Sequence, residues 1–314
     1  MRVLHNTSRT TEPAKYLGKL IVSALLIYLI ARNLDLHALG KTAARLSPAA
    51  LAGALVLQLA SNGAAAFRWC LIMRALGFTG SFAFYLRSFF KGAFFNQGLP
   101  ASIGGDGVRI LDAARIAGKR EDAFFGVFID RFIGLAGLLL LNVLAVSISR
   151  RVLPASVYVP LLAVMSLLLL ALIVLFFLHR LPLFQRNTIL GYIGRLSARY
   201  HQVYSSPTAL TLQTGLSLLT HFLAMASFYV LGTGLGLQYP LPVYLALVPP
   251  VVLLTILPIS LAGWGVRESA MVGLFLLIGA DRETVLSLSV LYGLINLTAS
   301  LPGLGVYLLQ KNLV

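Results

Sequence analysis

Two arginines, Arg109 and Arg267, each close one copy of an eleven-residue element. Leu99-Pro100-Ala101-Ser102-Ile103-Gly104-Gly105-Asp106-Gly107-Val108-Arg109 recurs as Leu257-Pro258-Ile259-Ser260-Leu261-Ala262-Gly263-Trp264-Gly265-Val266-Arg267, with seven of eleven positions identical at a constant offset of 158. A guanidinium stays charged when partly desolvated and meets phosphate oxygens with two parallel N–H bonds. A matched pair therefore fits a lipid phosphate. The competing reading is that each arginine is neutralised locally, since Asp106 lies three residues before Arg109 and Glu268 directly follows Arg267. Ionisable residues inside a membrane are functional by default, which favours anion binding. Asp106 and Glu268 would either hold the arginines or couple to protons, and Ser102 and Ser260 place one hydroxyl in each copy.

Other polar residues join this set with less force. Asn96 and Gln97 precede the first Pro/Gly break, where they would line a cavity or tie down freed backbone. Arg68-Trp69 closes an apolar run, and an arginine near a helix end commonly reaches out to the interface. Asp130-Arg131 stands at the start of another apolar run, where an ion pair within or between helices is a simpler role than ligand contact. Asn296 and His221 read as hydrogen-bonding residues between helices. No P-loop, His-Glu-x-x-His, Gly-x-Ser-x-Gly or strand-flanked GxGxxG occurs, so no cofactor or metal is expected. One cysteine, Cys70, excludes an internal disulfide and reads as a packing residue.

The elements that must position these residues are membrane helices. Of 314 residues, 58% are hydrophobic and 11% charged, with mean hydropathy +0.87, against about 25% charged in soluble domains. The charge surplus is 25 minus 10, or +15, but whole stretches lack it, which gives a nucleic-acid partner little support. Uncharged runs cover Leu46–Phe67, Phe132–Ser149, Val152–His179, Tyr200–Val266 and Thr284–Gln310. About 20 apolar residues suffice to cross a bilayer, so the longest run holds more than one pass, divided by the turn from Gly232 to Pro242. An earlier run from Tyr16 to Ala31 reads as a retained first helix.

Basic loops stay on the cytoplasmic side. Arg2, Arg9, Lys15 and Lys19 put the N-terminus inside, as Lys311 does the C-terminus. The basic stretches from Arg74 to Arg120 and from Arg180 to Arg199 are also expected inside, and the Gly232–Pro242 turn outside. Arg32, Lys41, Arg45, Arg150 and Arg151 count against this scheme. Leu190, Ile193 and Leu196, with Arg195 and Arg199, describe either an interfacial helix turning its arginines to headgroups or a solvated loop.

An offset near half the chain length points to duplication within a single integral membrane domain, residues 1–314. Residues 16–150 and 151–310 would each hold two crossings, a broken segment and one further crossing. Three crossings per half would invert one half relative to the other, the plan of secondary transporters. Pro100 and Pro258 disfavour a continuing helix, and Gly105, Gly107, Gly263 and Gly265 permit unusual backbone. The expected fold is an all-α polytopic membrane protein of two inverted repeats, with six spans plus two re-entrant hairpins, or eight spans. Phe82–Gln97 and Gly107–Ala117 would flank the first break, Val243–Leu257 and Val266–Ile278 the second, with free helix N-termini presented to an anion.

The segment Phe94-Phe95-Asn96-Gln97-Gly98 followed by the first repeat element, with Arg68-Trp69 before it, Asp130-Arg131-Phe132-Ile133-Gly134 after it and Pro258 to Glu268 later, resembles the lysylphosphatidylglycerol synthase transmembrane, flippase-like family. The resemblance covers nearly the whole chain. In bifunctional members such a membrane domain is joined to a soluble aminoacyl transferase domain and moves the aminoacylated lipid between leaflets; that soluble domain has no counterpart in this sequence. The resemblance implies a multi-pass protein of a bacterial or archaeal cell (inner) membrane that translocates lipid, with Arg109, Arg267, Asp106, Glu268 and Arg68 at the motif positions. The expected function is therefore transfer of a phospholipid or lipid-linked anionic substrate between leaflets, not enzymatic catalysis. A membrane-embedded lipid-modifying transferase using Asp106, Asp130 or Glu268 as base is the alternative, as is a non-catalytic partner of a lipid-synthesis enzyme. Expected partners are membrane lipids with an anionic headgroup or a lipid-linked glycan, such an enzyme, and a second copy as a homodimer.

Overall fold

The computed structural model describes residues 46–98, 103–150, 153–185, 189–204, 206–256 and 262–309. The first helix expected over Tyr16–Ala31, the Pro100 and Pro258 breaks, Ser102, Ser260 and Lys311 lie outside the described residues. Among those described, all regular structure is helical: α1 Pro48–Ala75, α2 Phe82–Gly98, α3 Ile103–Ala117, α4 Arg120–Ser149, α5 Ala155–Phe177, α6 Ile189–Val203, α7 Pro207–Gly234, α8 Leu241–Thr255, α9 Val266–Leu276 and α10 Arg282–Leu309. Five of these, α1, α4, α5, α7 and α10, are long and apolar enough to cross a membrane. The 28 residues of α1 reach about 42 Å at 1.5 Å per residue, beyond the ~30 Å hydrocarbon core.

Helix ends extend the repeat beyond the eleven residues that show it in sequence. Ser47 and Ser206 each cap a long helix, their hydroxyls accepting from Ala50 N at 3.2 Å and Ala209 N at 3.1 Å, and each is followed by proline at the first helical position. The same helices end alike. Gly77 and Gly236 take positive φ of 84° and 90°, and Phe78 N and Leu237 N donate back to Met73 O and Gly232 O, closing the same C-terminal motif. Thus α1, α2, α3 and α4 have counterparts in α7, α8, α9 and α10.

The two longest counterparts pack on each other. Ser227 Oγ donates to Ala54 O at 3.0 Å, Ser61 Oγ to Thr220 O at 2.8 Å, and Arg68 Nη1 to Ser217 Oγ at 2.9 Å. As residue number rises along α1 it falls along α7, so the helices run antiparallel. Small residues allow the approach, with Gly53 facing Val230 and Gly234 facing Leu46. A core that includes Phe228 of α7, Val243, Tyr244 and Leu247 of α8, Phe275 of α9 and Leu288 of α10 is buried on one side. A second core, of Trp69, Ile72, Met73, Tyr85, Ile129 and Ile133, is buried on the other.

Four expectations change. The helix of the third span does not begin at Asp130-Arg131: α4 starts at Arg120 and carries them as its eleventh and twelfth residues, well inside the helix. Arg68 does not reach the interface, because α1 continues to Ala75 and buries it to 5% exposure. The glycines of the two repeat elements do different things. Gly263 and Gly265 take positive φ of 81° and 83° in the turn before α9, whereas Gly105 and Gly107 are absent from the positive-φ positions and lie in the first turns of α3. Arg195 and Arg199 of α6 do not point only to headgroups; they pair with Glu121 at 3.0 Å and Asp122 at 2.8 Å at the start of α4.

Candidate functional site

The short helices form two antiparallel pairs. In the first, Ser88 Oγ donates to Asp112 Oδ2 at 2.8 Å, the Lys91 ammonium pairs with the same carboxylate at 2.5 Å, and Gly105 N donates to Asn96 Oδ1 at 2.8 Å. Gly105 is required for space: a Cβ there would strike Gly92 O and the Asn96 amide. In the second pair, α8 meets α9 through Tyr244 against Phe275, and Tyr239 Oη donates to Ile278 O at 3.2 Å. The 11 residues of α9 reach only about 17 Å, so α9 alone cannot cross the ~30 Å core.

Between these pairs lies a cavity of about 340 Å³, lined from α1, α2, α3, α4, α7, α8, α9 and α10. Arg109 and Arg267, 158 residues apart, both line it, and so do Arg68, Asn96, Gln97, Asp130 and Arg131. Asp106 and Glu268 stand behind the lining, each bonded to an arginine that lines it. Ser102 and Ser260 lie outside the described residues.

Asp130 organises the first half of the site. Its carboxylate accepts from Arg68 Nε at 2.9 Å and from Arg109 Nη2 at 2.6 Å, with all three side chains buried. Asp106 then bridges Arg109 at 3.4 Å and Arg131 at 2.8 Å. Trp69 supplies a ring face 4.2 Å from the Arg109 guanidinium, an attraction that strengthens on desolvation. The second half is simpler. Arg267 bonds Glu268 Oε1 at 2.7 Å and Ser289 Oγ at 3.3 Å, and lies 4.6 Å from the Trp264 ring centroid. The chain has two tryptophans, and each stacks on one of the repeat arginines. Glu268 Oε2 also accepts from Gly265 N at 2.5 Å. One N–H near the start of each helix, that of Gly105 and that of Gly265, is taken by Asn96 and Glu268 rather than free for an anion.

Both readings of the arginines hold together: they are paired with carboxylates and they line one cavity. Asp130 makes the expected ion pair between helices, and His221 bonds Gly134 O at 2.8 Å between α7 and α4. Asn296 lines the cavity, and no hydrogen bond joins it to a neighbouring helix among the described residues. Sequence reasoning passed over Lys91 as a basic loop residue and omitted Asp112, Ser289 and Tyr292. Tyr292 donates to Gln58 Oε1 at 3.1 Å on the cavity wall. Ser289 and Tyr292 signalled only as polar residues inside an uncharged run, too common in membrane helices to single them out, and Lys91 and Asp112 stood in the charged stretch between two such runs. Gly293 was also missed; a Cβ there would strike the Arg267 guanidinium and the Trp264 ring.

Among the described residues, no group of three or more His, Cys, Asp or Glu side chains is placed to hold a metal. No curated protein matches the chain. The family model described as "Lysylphosphatidylglycerol synthase TM region" matches residues 16–303, nearly the whole chain. With its apolar spanning helices, that match makes this a multi-pass membrane protein with a lipid-related function, belonging to the lysylphosphatidylglycerol synthase transmembrane-region family.

Proposed function

We propose that the protein translocates a phospholipid or lipid-linked anionic substrate between leaflets, with the headgroup phosphate passing through the arginine cavity while the acyl chains stay in lipid. The observation that carries this reading is the cavity, into which the two repeat arginines converge from opposite halves of the chain. Charged side chains within the bilayer are expensive and occur facing interior or water-filled paths. Inversion of the halves is supported by the antiparallel run of α1 and α7, which are repeat counterparts. Re-entrant hairpins are supported by the shortness of α9 and the antiparallel α2–α3 and α8–α9 pairs. Rocking of one half against the other would expose the cavity alternately.

Translocation is favoured over a lipid-modifying enzyme by the state of the acids. Asp106, Asp130 and Glu268 each accept from at least one arginine, so the candidate bases are engaged in holding guanidiniums. The cell membrane of a bacterium or archaeon, with both termini inside, is the location this reading carries. The test is leaflet redistribution of labelled phospholipids and lipid-linked glycans in liposomes holding purified protein. Wild type should move one class, and Arg267→Ala, whose loss leaves the Asp130 cluster intact, should move it at least tenfold more slowly with normal unfolding. Movement by Arg267→Ala and Arg109→Ala at the wild-type rate, with matched incorporation, would refute the proposal.

A further inference from the structure

We infer that Asn142 is a positioning residue for the arginine cavity: its side-chain amide replaces the two backbone N–H groups that Pro249 and Pro250 lack, and so fixes, from the first half of the chain, the wall that α8 gives to the cavity. The inference rests on the translocation reading only for what that cavity moves.

Two consecutive prolines inside a helix remove two N–H groups from the ladder, and the carbonyls four residues earlier lose their donors. Pro249 and Pro250 lie within α8, which nevertheless runs unbroken from Leu241 to Thr255. The carbonyls left open are those of Leu245 and Ala246. Asn142 Nδ2 on α4 donates to Leu245 O at 3.0 Å and to Ala246 O at 2.7 Å, the same two acceptors. Asn142 is fully buried, and prolines are tolerated in membrane helices where a neighbouring helix satisfies the freed backbone groups. Its Oδ1 has no partner among the described residues. An amide that spends both of its donors and leaves its acceptor unmet is present for its donors.

The repeat supplies a control. At the offset of 158, Pro249-Pro250 corresponds to Lys91-Gly92 of α2, and Asn142 corresponds to Ser300 of α10. Lys91 and Gly92 both carry the backbone N–H that proline lacks. Ser300 accordingly bonds within its own helix, Oγ donating to Leu297 O at 2.7 Å. There α10 meets α2 by close backbone approach instead, since a Cβ on Gly303 would strike Phe90 O and Lys91 N. Of two equivalent places, the amide stands at the one that has the prolines.

Position gives this anchor its consequence. Toward its N-terminus from Asn142, α4 turns Leu138, Leu135 and Gly134 to the cavity, and then Arg131 and Asp130. Toward its C-terminus from Ala246, α8 turns Val252, Thr255 and Ile256 to the same cavity. Burial is nearly complete from Val243 to Val251 and falls beyond it. The lining end of α8 therefore has little packing of its own, and its register against α4 is set at Asn142.

The wall is read through Thr255→Cys in a Cys70→Ala background, as the rate of modification by a small methanethiosulfonate in proteoliposomes, beside leaflet movement of labelled phospholipid. Asn142→Leu removes the donors, and Pro249→Ala/Pro250→Ala returns the missing N–H groups. With the prolines present, Asn142→Leu should shift the thiol rate and slow movement about tenfold each, because two buried acceptors lose their donors. With both prolines replaced, the same substitution should alter either by less than about twofold, since the coupling partner is gone. A general loss of packing would not depend on that background, so equal effects in both would overturn the inference. An unchanged thiol rate with the prolines present would overturn it too. An Asn142→Leu protein that folds only without the prolines supports the inference, and one that folds in neither background overturns it. The thiol readout needs no transport. If no lipid moves but the thiol rates follow the background, the translocation reading falls and the role of Asn142 stands; if lipid moves while the thiol rates ignore the background, this inference alone falls.

Discussion

Asp130 is one carboxylate between two buried guanidiniums, and that count determines what its removal does. Breaking a buried ion pair from one side leaves an uncompensated charge, typically 3–5 kcal/mol, and Asp130→Ala would strand Arg68 and Arg109 together. Asp130→Ala is therefore expected to lower the unfolding temperature in detergent sharply. Arg131→Ala should have a small effect, because its side chain is 40% exposed and solvent screens such pairs. Equal shifts for the two would contradict the buried-cluster account. Gly293→Ala acts at the other end, where its methyl group would push Arg267 off Trp264; cargo movement should fall toward that of Arg267→Ala while unfolding shifts less than for Asp130→Ala. How far the site was legible follows from these same residues. Arg109 and Arg267 stood out because their surroundings repeat. Asp130-Arg131 was placed at a helix start because charge was treated as a span boundary. The compensating partners come from α1 and α3, 62 and 21 residues away in sequence, and local pattern holds no trace of such pairing.

The helices themselves were legible where one chemical rule dominates. Runs without charge gave the long spans, whereas the Ser-Pro pairs that start α1 and α7 went unread. The α3 boundary was less legible, since its glycines read as a break although they lie in the helix, where Gly105 packs against Gly92. The amphipathic α6 was one of two open readings, the other a solvated loop, and neither its tie to α4 nor its elbow with α5 was foreseen. At that elbow the His179 and His201 rings lie 4.9 Å apart, and Ser197 Oγ sits 2.9 Å from His179 N as its acceptor. Burial, then the neighbouring His179 and Arg180, hold the His201 imidazole below its ordinary value. The folded state thus disfavours the charged ring, the unfolded state binds more protons, and stability rises with pH. As pH falls through the ordinary histidine range of about 6.5, the α5–α6 elbow should loosen. Amide hydrogen exchange in α6 should be faster at pH 5.5 than at pH 7.5 after correction for intrinsic rates, and His201→Gln should abolish most of the difference. An undiminished difference in His201→Gln would assign it to other groups.

At the scale of the whole molecule, the two halves are alike in elements and unlike in charge. Arg109 has its counterpart in Arg267, but Asp106 corresponds to Trp264 and Arg131 to Ser289 at the same offset of 158. One half therefore holds its arginine in a network of five charges, the other by a single glutamate. On the translocation reading, the weaker arrangement suits an arginine that would exchange Glu268 for a passing phosphate. That exchange requires the halves to face opposite sides, which the antiparallel α1 and α7 support and membrane labelling can decide. In a Cys70→Ala background, Gln238→Cys lies on the exposed turn between α7 and α8, and Arg180→Cys on the exposed link between α5 and α6. Basic loops are retained inside, so an impermeant thiol reagent should modify Gln238→Cys in intact cells and Arg180→Cys only after permeabilisation. Because α7 alone crosses between the α6 link and the α8 turn, modification of both from outside would deny α7 its crossing. The inverted arrangement, with the alternating exposure of Arg267 that depends on it, would then fall.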